Sequence, residues 1–413
     1  MIVPLFAIFV ALISPLRRPF ANPLFGPVFA VLAFGFISLS ALAQTTGDVI
    51  KVDVGHTVTA DSNLFRRSAS ANPQSDVINA TAASLHLDKA YSQQNFKLDV
   101  TENLTRYDRF SYLNFNATNY SGVWSWRPSQ RLNVSFSADR SKSLALFEET
   151  PGAQRNISTN ENRAFNLTER VFGGWYLLLG VSRTVQKSEQ VIATRPDERI
   201  DTRLAGVKYV TSSGNSISAT RRAEKGDFLN RSTIPSVTGT GFSQYESELS
   251  GNWKLSEKSD LTGGVTHLNR SDNQIGQRDF SGLSGNLGYT WQMTSKLKIN
   301  VSASRRTAPL RDISFSYSKT DTVSLVPTWA VTNKIAVHVR MTNTNLGYFG
   351  NGVVPATGPA RKDSTNTVEV GVDWSPLRNL SVNVSLQGQR RSSNSALFEY
   401  NDKKGLIGAT WVF

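Results

Sequence analysis

From Gln44 onward the chain alternates apolar and polar residues with period two, the pattern of strands whose two faces meet different surroundings. Ile50, Val52 and Val54 alternate with Lys51 and Asp53, and Phe96, Leu98 and Val100 with Lys97 and Asp99. Leu132, Val134, Phe136 and Ala138 alternate with Asn133, Ser135, Ser137 and Asp139. The rhythm returns at Leu297, Ile299, Val301 and Ala303, at Val368, Val370, Val372 and Trp374, and at Leu380, Val382, Val384 and Leu386. Most of these runs exceed the five or six residues usual in a soluble sheet, and about ten residues is the length a tilted strand needs to cross a bilayer. The polar face is rich in Ser, Thr and Asn, which suits a wet interior better than a packed core.

The connections alternate in length. Short turns are read at 127–130, 172–174, 212–215, 256–258, 294–296, 332–334 and 376–379. Longer polar stretches lie near 60–76, 141–162, 186–200, 225–241, 271–279, 306–313 and 343–363, with shorter ones near 106–111 and 391–397 in the same phase. Tight periplasmic turns against longer outer loops are the asymmetry of transmembrane barrels, and the pattern predicts about 18 strands, an even number. The expected fold is therefore all-β, an up-and-down antiparallel transmembrane barrel over residues 44–413. All eight tryptophans, Trp124, Trp126, Trp175, Trp253, Trp291, Trp329, Trp374 and Trp411, fall beside short turns, as an interfacial aromatic girdle requires. A secreted β-propeller is the competing architecture, because the last five recur at roughly the 40-residue period of propeller blades. A blade fits four short strands into that interval, and this chain fits two long ones.

The leader and the composition set the compartment. Arg17-Arg18, an apolar stretch from Val28 to Leu42 and the small-residue site Ala41-Leu42-Ala43 predict a secretory signal peptide over residues 1–43. The chain of 413 residues has no cysteine and a formal net charge of +13. Disulfides, thiolate metal sites, cysteine nucleophiles and a lipidated N-terminal cysteine are thereby excluded. Positive charge alone would suit nucleic acid, an anionic polymer or an acidic membrane, and export removes nucleic acid. The last strand, with alternating apolar residues, Trp411 and terminal Phe413, resembles the C-terminal signal read by the barrel-assembly machinery.

Catalytic chemistry is nearly absent from the pattern. The four histidines, His56, His86, His267 and His338, form no metal-binding spacing, and no nucleophile elbow, P-loop or dinucleotide fingerprint occurs. No catalytic residue, metal or cofactor is expected. His86 and Asp88, two apart on one face, read as a satisfied lumen pair. By strand phase Lys97, Lys208, Arg222, Lys298, Arg306, His338, Arg340 and Arg391 face the lumen or its outer mouth, together with Glu246, Glu248, Glu369 and Asp373. Two readings stay open: a mixed-charge lumen held by salt bridges, or a basic track for an anionic or hydroxyl-rich polymer. In the second, Arg306, Arg340 and Arg391 form an arc at the outer mouth, unless they pair with Glu369 or Asp373. Lipid-facing charge costs about 2–4 kcal/mol at mid-bilayer, so most of the positive charge is expected in lumen, loops and turns.

Asp61-Ser62-Asn63-Leu64-Phe65-Arg66, directly after the first strand, resembles the opening motif of EpsL-type outer-membrane proteins. The resemblance continues through Asn95-Phe96-Lys97-Leu98-Asp99, Tyr107-Asp108-Arg109-Phe110-Ser111-Tyr112-Leu113, Trp124-Ser125-Trp126 and Gln154-Arg155-Asn156-Ile157, over residues 49–185. It implies an outer-membrane barrel that accompanies exopolysaccharide clusters of the exosortase B type, acting in assembly or export, and it carries no catalytic residue. Its implied partners are outer-membrane lipid, an exopolysaccharide chain and periplasmic polysaccharide export proteins. Asp61, Asn63 and Arg66 are either an inward-folding polar loop or a tight outer turn. The expected function is a passive glycan conduit, with a diffusion porin for small anions and a barrel hydrolase as alternatives.

Overall fold

The computed structural model describes residues 48–145, 147–148, 153–190, 197–229, 239–310, 314–352 and 358–413. The signal peptide read over residues 1–43 lies outside them. The described chain forms β1 (Asp48–Asp61), β2 (Asp76–Tyr91), β3 (Gln94–Tyr107), β4 (Phe115–Trp126), β5 (Leu132–Leu144), β6 (Ile157–Phe172), β7 (Trp175–Ser188), β8 (Glu198–Val210), β9 (Ser216–Phe228), β10 (Gly241–Ser256), β11 (Ser259–Asp272), β12 (Phe280–Gln292), β13 (Leu297–Pro309), β14 (Tyr317–Ala330), β15 (Ile335–Phe349), β16 (Lys362–Leu377), β17 (Leu380–Ser393) and β18 (Tyr400–Val412).

Each strand pairs antiparallel with its chain neighbours, and β18 pairs with β1 from Asp53 opposite Val412 to Asp61 opposite Lys404. The result is a closed 18-stranded up-and-down barrel with no free edge. Closure places the C-terminus in the seam: Val412 N–H donates to the Asn379 carbonyl at 2.8 Å and Phe413 N–H to the Val52 carbonyl at 2.7 Å. At a strand spacing of about 4.8 Å and a tilt near 40°, 18 strands enclose a backbone diameter of about 35 Å.

Alternation assigns the faces. On β14 the exposed Val323, Leu325 and Trp329 share one face, as do Val368, Val370 and Trp374 on β16. The opposite face carries Thr320, Thr322 and Ser324 on β14 and Thr365, Thr367 and Glu369 on β16. The tryptophans ring the periplasmic end, where the tight turns also lie. One such turn joins β6 to β7: Gly173 has φ +50°, and a Cβ on Gly174 would lie 2.1 Å from the Val210 carbonyl oxygen. Only glycine fits both positions.

Strands run further than the pattern suggests at the outer end. The stretch from 343 reads as loop, yet β15 continues to Phe349 and β16 begins at Lys362. From Asn343 to Asn345 and from Ser364 to Thr367 both faces are polar, Asn343 hydrogen-bonding to Asn345 and Asn366 along the outer wall, so period two disappears from the sequence there while the ladder persists.

Part of the positive charge lies elsewhere than in lumen, loops and turns: Arg163, Arg183, Arg203, Arg221 and Arg305 are on the outward, apolar-phase face. Arg183 and Arg305 sit past the middle of their strands toward the outer end, where the cost of a lipid-facing charge falls toward about 0–1 kcal/mol, whereas Arg203 and Arg221 lie near the middle of β8 and β9.

Candidate functional site: the outer mouth

The residues after β1 turn into the barrel. Asp61 Oδ1 accepts the Asn63 N–H at 2.9 Å and starts the turn. The Asn63 side chain, only 1% exposed, donates to the carbonyls of Arg67 at 2.8 Å and Asn401 at 3.0 Å and accepts from Arg67 N–H at 2.9 Å. Arg66 then adopts φ +55°, a conformation that costs a non-glycine residue on the order of 1 kcal/mol. Its guanidinium forks onto Asp61, 3.1 Å to Oδ1 and 2.9 Å to Oδ2, reaches Asp402 at 3.2 Å and also donates to the Asn63 carbonyl. Burial works against that charge, but the Asp61 hydrogen bond and the charges of Asp61 and Asp402 outweigh it and raise the Arg66 pKa above the ordinary arginine value.

The turn is stitched to β18. Ser62 N–H donates to the Lys403 carbonyl at 3.0 Å, and Lys403 N–H to Ser62 Oγ at 2.7 Å. Lys404 lies 3.8 Å from Asp61 and 3.9 Å from Asp402. Of the two readings of this motif, the structure adopts the inward-folding loop. The sequence motif held Asp61, Asn63 and Arg66 but not Asp402 or Lys404, which are far along the chain and meet it only when β18 closes on β1.

A small apolar core seals the loops. Leu64, Phe65, Tyr107, Leu113 and Phe147 pack together, joined by Ile78, Phe110 and Leu144. The Phe65 ring meets Phe110 edge-on at 4.7 Å and Phe147 at 5.0 Å. Three connections, after β1, β3 and β5, thus cover one side of the mouth. From the opposite direction Arg391 on β17 donates to the Glu148 carbonyl at 3.1 Å, bridging to the third connection. Arg391 is also ion-paired with Asp363, both side chains nearly fully buried, and Arg361 holds the same carboxylate at 2.6 Å. Tyr400 lies between the two guanidiniums, its ring 5.9 Å from each of Arg66 and Arg391.

The remaining lumen candidates divide by partner. Lys97 pairs with Asp88 at 3.3 Å, Arg222 with Glu246 at 2.6 Å and Arg340 with Glu369 at 3.7 Å. His338 sits between Glu369 at 3.4 Å and Asp373 at 3.3 Å. Lys208, Lys298 and Arg306 stand on the inward phase with no ion pair among the described residues. The basic arc does not form as a set. Arg391 is locked to Asp363, a partner the strand count did not suggest, and Arg340 faces Glu369 nearer the periplasm than Thr365, which faces Arg391. His86 likewise does not pair with Asp88. Its two nitrogens contact Asp99, its direct cross-strand partner on β3, and Asp53, its diagonal neighbour on β1, each at 2.5 Å, both within reach of the ring on the shared inward face. Sequence reasoning also missed Gln244, which accepts from Arg270 at 3.1 Å and donates to Glu224 at 3.0 Å and Glu246 at 2.9 Å on the wall of β9–β11.

A Ser–His contact does exist, Ser281 Oγ to His267 Nε2 at 2.9 Å. It lies on the outward face, and among the described residues no carboxylate orients the other ring nitrogen.

No protein-family model and no curated protein matches the chain in sequence. Solved structures do match in fold. OpdQ of Pseudomonas aeruginosa is 11% identical with TM-score 0.51, over 89% of this chain and 98% of its own. The outer-membrane protein OpdK of the same organism is 11% identical at 0.50, over 88% and 99%. OccAB3 of Acinetobacter baumannii is 10% identical at 0.51, over 89% and 100%. The architecture is that of a Gram-negative outer-membrane barrel.

Proposed function

We propose that this protein is a passive, porin-like outer-membrane channel whose entrance is narrowed by its own inward loops, and that it favours hydrophilic solutes bearing carboxylates or hydroxyls. The observation that carries this reading is the latched turn Asp61–Arg66, held to β18 and sealed by Phe65 in a barrel of about 35 Å backbone diameter. A barrel of this strand number is aqueous without such a restriction. Below the latch, polar side chains and the unpaired Lys208, Lys298 and Arg306 offer weak, repeated contacts, as conduction requires. A catalyst is disfavoured: carboxylates engage both His86 nitrogens, so neither is available as a general base, and the Ser281–His267 contact has no orienting third group.

A second reading is the exopolysaccharide conduit. It rests on the EpsL-type motifs, one of which is the latch itself, and on the Ser/Thr/Asn-lined interior. Its partners would be the glycan chain and periplasmic polysaccharide export proteins. One experiment separates the two. In a deletion strain the channel reading expects slower uptake of small organic anions with cell-bound and secreted polysaccharide unchanged. Retained polysaccharide with normal uptake would replace the channel with the conduit.

A further inference from the structure

The outward face of β5–β9 carries a row of arginines that the lumen chemistry does not use. Arg140 on β5 faces Glu161 on β6, and Arg163, two residues further down β6, faces Arg183 on β7. Arg203 on β8 lies opposite Val181, two residues below Arg183, and Arg221 on β9 opposite Ala205, two below Arg203. In a tilted barrel the register climbs toward one end from strand to strand, and stepping back by about one residue per strand follows the horizontal. The five arginines therefore lie at nearly one height on five consecutive strands.

That height is the outer border of the apolar band. On β7 the outward residues run Trp175, Leu177, Leu179, Val181 and then Arg183, with Trp175, Leu179 and Val181 exposed. Eight residues of tilted strand rise roughly 20 Å along the membrane normal, so Trp175 marks one interface and Arg183 the other. The run is not continuous around the barrel: Arg305, Arg390 and Lys403 stand outward on other strands, but at the outer ends of β15 and β16 the same face carries Asn343, Asn345, Ser364 and Asn366.

The row is short of negative charge. Arg140 has Glu161 at 3.8 Å and Arg183 has Asp201 at 2.6 Å. Among the described residues Arg163, Arg203 and Arg221 form no ion pair with a carboxylate; Arg203 shares only the longer-range field of Asp201, which is already forked by Arg183. Arg221 donates to Ser247 Oγ at 2.9 Å and lies 5.4 Å from the Tyr245 ring. Arg163 opposes Arg183 directly, and like charges across a strand pair destabilise the sheet. An external anion at headgroup level would relieve this, and planar guanidiniums bind phosphate through paired hydrogen bonds.

We propose that the outward face of β5–β9 docks a phosphorylated glycolipid of the outer leaflet, with its phosphates on the arginine row and its acyl chains on Leu177, Leu179, Val181 and Val207. The face combines what such a lipid presents, fixed anions directly above hydrocarbon. Native mass spectrometry of the folded barrel with diphosphoryl lipid A, and with the dephosphorylated form, tests this. Wild type should retain the diphosphoryl form and release the dephosphorylated one. Combined Arg163→Gln, Arg203→Gln and Arg221→Gln substitutions should lower retention at least tenfold, whereas Arg390→Gln with Lys403→Gln, basic positions on the outward face of β17 and β18, should change it less than twofold. Equal retention by the triple variant, or equal binding of the dephosphorylated lipid by wild type, would overturn the proposal. If the triple variant does not fold, Arg203→Gln alone with the same lipid pair decides it.

Discussion

A single arginine organises the mouth. Arg66 accepts an unfavourable backbone conformation, and the Asp61 fork, the Asp402 contact and the Asn63 carbonyl over-determine it. Removing one partner of a buried ion pair typically costs about 3–5 kcal/mol. Arg66→Gln should therefore leave the barrel folded but release the turn, seen as a larger single-channel conductance in planar bilayers and faster tryptic cleavage at Arg67. Unchanged conductance and unchanged cleavage would show that the turn does not restrict the pore. The motif residues were legible in the sequence because they are contiguous. Their direction was not, since a short polar run after a strand is compatible with both an outer turn and an inward one. What decides between them is Asp402 and the Phe65 pocket, supplied by segments remote in sequence.

At the level of strands, alternation carried most of the fold. Strand number, the up-and-down order and the tryptophan girdle could be read because lipid on one side and water on the other impose period two. The reading weakened where both faces are polar, as at the outer ends of β15 and β16, and side-chain partners such as Asp363 for Arg391 required a register that sequence does not contain. The last strand gives a separable prediction. Phe413 is half exposed, and its chief structural contribution is one backbone hydrogen bond to Val52, worth about 1 kcal/mol. Deleting Phe413 should leave the unfolding midpoint of assembled barrel almost unchanged yet lower the amount assembled several-fold. The heat-dependent mobility shift in SDS gels measures both. Wild-type amounts in the truncated protein would refute an assembly role.

For the whole molecule, charge is distributed in three places with different jobs. Mouth arginines pair with acids, outer-wall arginines point away from the bore, and among the described residues Lys208, Lys298 and Arg306 stand on the inward phase without an ion pair. Selectivity should then follow the free ones. Replacing Lys208, Lys298 and Arg306 together with Gln removes three unpaired lumen charges and no ion pair among the described residues. The reversal potential in a salt gradient should shift toward cation preference with folding intact. A reversal potential identical to wild type would mean that the paired residues, or none, set selectivity. Arg391→Gln is expected to act differently, lowering stability by about 3–5 kcal/mol because Asp363 loses a buried partner.

The seam between β1 and β18 also has a meaning in time. Every bond that draws the first turn inward to β18, from Ser62 to Lys403 and from Asn63 to Asn401, needs the final strand to have arrived beside the first. A chain still open during insertion has neither the anchor nor the restriction, and its widest aperture belongs to that unfinished state. The turn therefore serves as a seal that sets last: a fluorophore on Ser68 would change its surroundings at the moment the cylinder closes, and the cell would be protected from a leaking precursor only after that event.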